Sequence, residues 1–89
     1  MKIEVLTQGN FVQLIDSKSI TKFIAKLESD SDTDAKYSLI GINENQGLAY
    51  VMVKGRGKVD EKEARTWRLD RLADFLKSHD VQAFEVRNG

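Results

Sequence analysis

The stretch Asp60–Asp80, DEKEARTWRLDRLADFLKSHD, constrains this chain most, because its start, its face and its stop all signal one long helix. Asp60 supplies an N-cap, and Glu63 completes an acidic version of the capping box. Asp60, Glu61 and Glu63 set negative charge at the positive end of the helix dipole. Leu69, Leu72, Ala73 and Leu76 recur at i, i+3, i+4 and i+7 and make one apolar stripe. Lys77 and His79 fall in the last turn, where cations are favoured. Trp67 alone breaks the pattern, since at about 100° per residue it points away from Leu69 and Leu76. Two readings follow. Either Ala64 and Phe75 widen the core stripe and Trp67 lies under a loop, or Trp67, Arg68 and Arg71 form a second stripe that faces a protein partner. Trp and Arg are the residue types enriched at interface hot spots.

The rest of the chain supplies a sheet. Lys2–Thr7 alternates apolar and charged residues and predicts a strand; Phe11–Ile15 predicts another, with Gly9-Asn10 as the hairpin turn between them. Ser17 or Ser19 caps a short helix with Ile20, Phe23, Ile24 and Leu27 inside and Lys18, Lys22 and Lys26 outside. Ser29–Asp34 is a polar breaker. Tyr37–Asn43 and Leu48–Lys54 form a second hairpin around Glu44-Asn45-Gln46-Gly47, and Val81–Val86 is the last strand.

The predicted order is ββαββαβ. It describes a single two-layer α+β domain over 1–89, with a mixed, mostly antiparallel five-stranded sheet and two helices on one face. From Phe11 onward, βαββαβ resembles a ferredoxin-like split unit. In that unit the first strand is central, which leaves no edge for Lys2–Thr7. Either the N-terminal hairpin or the strand order must therefore differ.

Eighty-nine residues build one core but not two. Fourteen basic and 14 acidic residues give zero formal net charge, so there is no general pull toward nucleic acid or an anionic membrane. Without cysteine, thiolate chemistry, disulfides and cysteine-held zinc are excluded. The N-terminus has no apolar run of leader length, and nowhere do 18 apolar residues follow one another. These features predict a cytoplasmic protein without a membrane partner.

Four motifs invite chemistry. Gly55-Arg56-Gly57-Lys58 sits between strand and helix, but Asp60 stands where a dinucleotide loop has its third glycine, and Glu61 and Glu63 would repel phosphate. Lys54, Arg56, Lys58 and Arg65, continued by Arg68 and Arg71, could hold a nucleic-acid backbone while Trp67 stacks a base. Glu61, Glu63, Asp70 and Asp74 interleave with them and offer i, i+4 ion pairs instead. Asp30, Asp32 and Asp34 open like a calcium loop, yet Ala35 replaces the glycine and Gly41 the final glutamate. Ser78-His79-Asp80 has triad residue types at adjacent positions, which cannot converge on one proton path. No catalytic, cofactor or metal residues emerge.

The sequence therefore predicts a non-enzymatic protein-binding or regulatory module, of the kind a small inhibitor or accessory protein would be. Leu48, Tyr50 and Met52 on one side of their strand and Ala49, Val51 and Val53 on the other require cover on both faces. Two helices cover only one. The bare face predicts a homodimer packed sheet on sheet, with Tyr50 and Met52 joining Trp67, Arg68 and Arg71 as interface residues. The alternative is a nucleic-acid-binding module using Lys54, Arg56, Lys58 and Arg65.

Overall fold

The computed structural model describes residues 2–30, 34–53 and 64–88. The chain opens with strand β1 (Lys2–Leu6) and passes directly into helix α1 (Gln8–Asp16). Thr7 is the N-cap, its side chain accepting from the Asn10 N–H. Leu6 just before the cap and Phe11 at the fourth helical position both enter the core, the arrangement of a hydrophobic staple. Phe11, Leu14 and Ile15 then share one face, which turns inward. The expected hairpin at Gly9-Asn10 and the strand over Phe11–Ile15 are thus replaced by a helix. Glycine at the second helical position is tolerated because the cap and the staple outweigh its propensity cost of about 1 kcal/mol.

Both helices end the same way. After α1, Lys18 N–H donates to the Ile15 carbonyl and Ser19 N–H to that of Leu14, at 3.1 and 3.0 Å. After helix α2 (Leu69–Ser78), Asp80 N–H donates to Lys77 and Val81 N–H to Leu76, at 3.1 and 3.0 Å. These paired bonds make a Schellman motif, whose pivotal residue adopts positive φ. Here the pivots are Lys18 (φ 62°) and Asp80 (φ 63°) rather than glycine.

The helix predicted after Ser17 is strand β2 (Lys22–Ser29). Phe23, Ala25 and Leu27 alternate with Lys22, Lys26 and Glu28, a two-residue period that overrides the helical spacing of Ile20, Phe23, Ile24 and Leu27. Strands β3 (Lys36–Asn43) and β4 (Leu48–Met52) form the expected hairpin around Gly47 (φ 65°). Strand β5 (Thr66–Trp67) then occupies the same edge of β3 that β4 leaves, opposite Tyr37 and Ser38. The long helix is accordingly short. Its first residue is Leu69, and Asp60 and Glu63, its expected cap, lie outside the described residues. Trp67 stands in a strand, which removes the anomaly of its direction. Strand β6 (Glu85–Arg87) closes the order.

The observed sequence of elements is βαββββαβ in one open sheet, ordered β1-β4-β3-β2-β6 with β5 beside β3. The α+β class, the mixed sheet and the pair of helices on one face are as read from sequence. The ferredoxin-like arrangement is not adopted: β1 takes an edge, parallel to β4, and α1 crosses to β2 over two intervening strands. The core lies between helices and sheet: Phe11 and Ile15 from α1, Leu72 and Leu76 from α2, and Phe23, Ala25, Leu39, Tyr50 and Met52 from the strands. Gly41 is required at its centre. A Cβ there would stand 2.7 Å from Ile20 Cδ1 and 3.0 Å from Phe11 Cζ.

A left-handed conformation costs a side-chain-bearing residue about 1–2 kcal/mol, and glycine's extra chain entropy offsets about 0.5–1 of that. Lys18→Gly is therefore expected to stabilise the fold by about 0.5–1 kcal/mol in urea denaturation, and Asp80→Gly by less, since aspartate tolerates this conformation.

Candidate protein-binding face

Register decides which strand residues face the helices. Glu4, Tyr50, Gly41 and Phe23 stand opposite one another across β1, β4, β3 and β2, as do Leu6 with Met52 and Ala25 with Leu39. This row carries the core. The alternate row, Ile3 and Val5 with Ala49 and Val51, Ile42, Ile40 and Ile24, points to the other side, where no helix lies among the described residues. None of these seven belongs to the core cluster. Ile24 and Ala49 are buried and Ile40, Ile42 and Val51 half-buried, whereas Ile3 is 66% exposed and Val5 40%. The apolar row thus runs out to an open edge at β1.

Tyr50 and Met52, expected at the interface, are on the wrong row: 5% and 0% exposed, they are sealed under the helices. The side-chain alternation of a strand assigns the outward role to Ala49 and Val51 instead. Ile3 and Val5 were read from sequence as one face of a strand, but nothing in the sequence said which face would be covered.

At the opposite side of the sheet the same face is charged. Glu85 lies 3.6 Å from Lys22 and accepts a hydrogen bond from Arg87. The Arg87 guanidinium holds the Glu85 carboxyl below its ordinary value, loss of hydration pulls the other way, and Lys22 adds to the lowering. Ser38 donates to Glu28 at 2.8 Å nearby. The face therefore has an apolar end at β1 and an ionic end at β6.

Trp67 is half-buried against the core. Its ring centroid lies 4.9 Å from that of Phe75, which in turn meets His79 edge-on at 4.9 Å. The Arg65 guanidinium covers the ring at 3.9 Å and also donates to Gln8. The indole Nε1 is buried without a hydrogen-bond partner among the described residues. Trp67 and the arginines do not form one stripe. Arg68, exposed, is the residue before α2 and pairs with Asp70 at 3.5 Å, while Arg71 is exposed on the helix. Of the basic set, Arg65 is committed to Trp67 and Gln8; Lys54, Arg56 and Lys58 lie outside the described residues, as does Asp32 of the acidic run.

Among the described residues no three His, Cys, Asp or Glu side chains gather as a metal site, and no helix is long and apolar enough to cross a membrane. Ser78 donates to the Phe75 carbonyl, and His79 faces Asp16 at 3.9 Å, so Ser78, His79 and Asp80 point to separate neighbours. No protein family, curated protein or solved structure matches the chain.

Trp67→Ala is expected to cost about 2–3 kcal/mol, below the range for a fully buried tryptophan, in equilibrium unfolding. Trp67→Phe should cost less than about 1.5 kcal/mol, because it keeps an aromatic ring beside Phe75 and removes the unpartnered donor. The Glu85 contribution has a definite pH sign. Its carboxyl is lowered in the fold, so the contribution is complete above the ordinary carboxylate range and is lost as pH falls through the lowered value. Amide exchange should show β6 loosening from β2 on acidification, with the pH dependence reduced in Glu85→Gln.

Proposed function

We propose that this chain is a non-enzymatic protein-binding or regulatory module, and that it self-associates as a homodimer through the helix-free side of its sheet at β1. The observation that carries the reading is the exposure of Ile3 and Val5 at the end of an apolar row, on a face where no helix lies among the described residues. Neighbouring exposed apolar side chains on a sheet face are a candidate contact surface. The cytoplasmic setting is part of the same proposal and rests on composition alone.

Magnitude limits the strength of the association. Burying what remains exposed of Ile3 and Val5 on two copies is worth on the order of 4–6 kcal/mol. Loss of rotational and translational freedom costs about 4–15 kcal/mol. The apolar side chains alone thus sit at the threshold, and further contacts must tip the balance. A concentration-dependent monomer–dimer equilibrium in the micromolar range is the expected form.

Of the nucleic-acid alternative, Arg65 is engaged with Trp67 and Gln8, while Lys54, Arg56 and Lys58 lie outside the described residues. Sedimentation velocity over a concentration series is expected to show a rise from monomer to dimer mass. Ile3→Glu and Val5→Glu should each shift that midpoint at least tenfold upward while leaving the unfolding curve within about 0.5 kcal/mol, as outward surface substitutions do. A wild-type chain that stays monomeric at several hundred micromolar would remove the reading.

A further inference from the structure

The backbone at β1 shows how a second copy would attach, an inference that rests on the self-association reading above. Amide groups along a strand alternate between its two edges. Lys2 N–H donates to the Gly47 carbonyl, and the Leu6 carbonyl accepts from Val53, so the groups of Lys2, Glu4 and Leu6 turn toward β4. The N–H and C=O of Ile3 and Val5 must then point to the free edge. On β1, the two residues with exposed apolar side chains are also the two whose backbone groups have no partner among the described residues.

We propose that a second copy of this chain adds to that edge by antiparallel β1–β1 pairing centred on Ile3. A two-fold axis normal to the sheet pairs a residue with its own copy and keeps both helix-free faces on the same side. Centred on Ile3, the two copies of that residue exchange both N–H···O bonds, and Lys2 of each chain stands opposite Glu4 of the other. Two opposite-charge pairs result. Centred on Glu4, the same geometry would set two carboxylates face to face, which cross-strand pairing disfavours. Charge thus selects between the registers. The far edge does not compete: β6 has three residues, and Glu85 and Arg87 are tied to each other there. Paired this way, the sheet becomes continuous through both chains, and the two apolar rows of Ile3, Val5, Ala49 and Val51 join into one surface.

The absence of cysteine makes the register readable by cross-linking. In mild oxidant, a mixture of Lys2→Cys and Glu4→Cys chains is expected to form a covalent heterodimer, because the two positions face each other as a non-hydrogen-bonded antiparallel pair with Cα atoms about 4.5 Å apart, within disulfide reach. Glu4→Cys alone should not. Lys2→Glu alone should raise the dimer dissociation constant about tenfold, and adding Glu4→Lys should restore it. Efficient cross-linking of Glu4→Cys alone would overturn the register. A dimer that survives Lys2→Glu unchanged but is lost in Val51→Glu would be packed face to face; that would overturn edge pairing and leave the proposed function standing. A wild-type monomer at every concentration would defeat both.

Discussion

Everything about this molecule's surface follows from the direction of two crossovers. α1 joins β1 to β2, and α2 joins β5 to β6; each pair of strands is parallel, and each connection steps the same way across the sheet. Crossovers of this type share one hand. Steps of equal direction and equal hand deliver both helices to the same face. The core can then form only there, and the cluster from Phe11 to Leu76 lies there entirely. Among the described residues the second face is left to the strands.

That asymmetry sets different demands on neighbouring residues. On the covered row, packing is close enough that Gly41 has no room for a methyl group beside Ile20 and Phe11. On the alternate row, exposure rises along the facing residues from Ile24 on β2, through half-buried Ile40 and Val51, to Val5 on β1, and Ile3 at the same edge is the most exposed of the row. The two edges also differ. β6 is three residues long and carries the Glu85–Arg87 pair, while β1 is five residues long and its outward backbone groups have no partner among the described residues. An edge of the second kind is a template for another strand unless something blunts it.

What was legible in the sequence was what is decided locally. The hairpin of β3 and β4 announced itself as two apolar runs around the polar turn Glu44-Asn45-Gln46-Gly47, and the stripe Leu69, Leu72, Leu76 marked α2, though the helix is shorter than Asp60–Asp80. Misreadings arose where two local signals competed. Gly9-Asn10 offers a hairpin turn, but Thr7 as cap with Leu6 and Phe11 as staple offers a helix, and tertiary burial of Phe11 favours the second. Ile20, Phe23, Ile24 and Leu27 fit a helical stripe only if Ile20 is counted, whereas it precedes β2. Neither helix end could be found by seeking glycine, because Lys18 and Asp80 occupy the pivots. Tyr50 and Met52 illustrate a deeper limit. Alternation says that they share a row, but the choice of buried row depends on where distant helices land, and no window of a few residues contains that information.

The fold itself gives no reason for Ile3 to be apolar. It belongs to no core cluster, and it is more exposed than any other large apolar residue among those described. A polar side chain would satisfy the strand equally and would guard the edge better. Lys2 and Glu4, its neighbours, already follow that pattern on the opposite row. A side chain that folding does not require, set over backbone groups that folding does not use, is the combination a strand-addition interface needs: hydrogen bonds for attachment and apolar area for affinity. Neither contribution is sufficient alone, since the apolar term only reaches the threshold of association and edge hydrogen bonds yield little net energy while water competes for them. Their coincidence on Ile3 and Val5 is what turns an exposed edge into a binding surface.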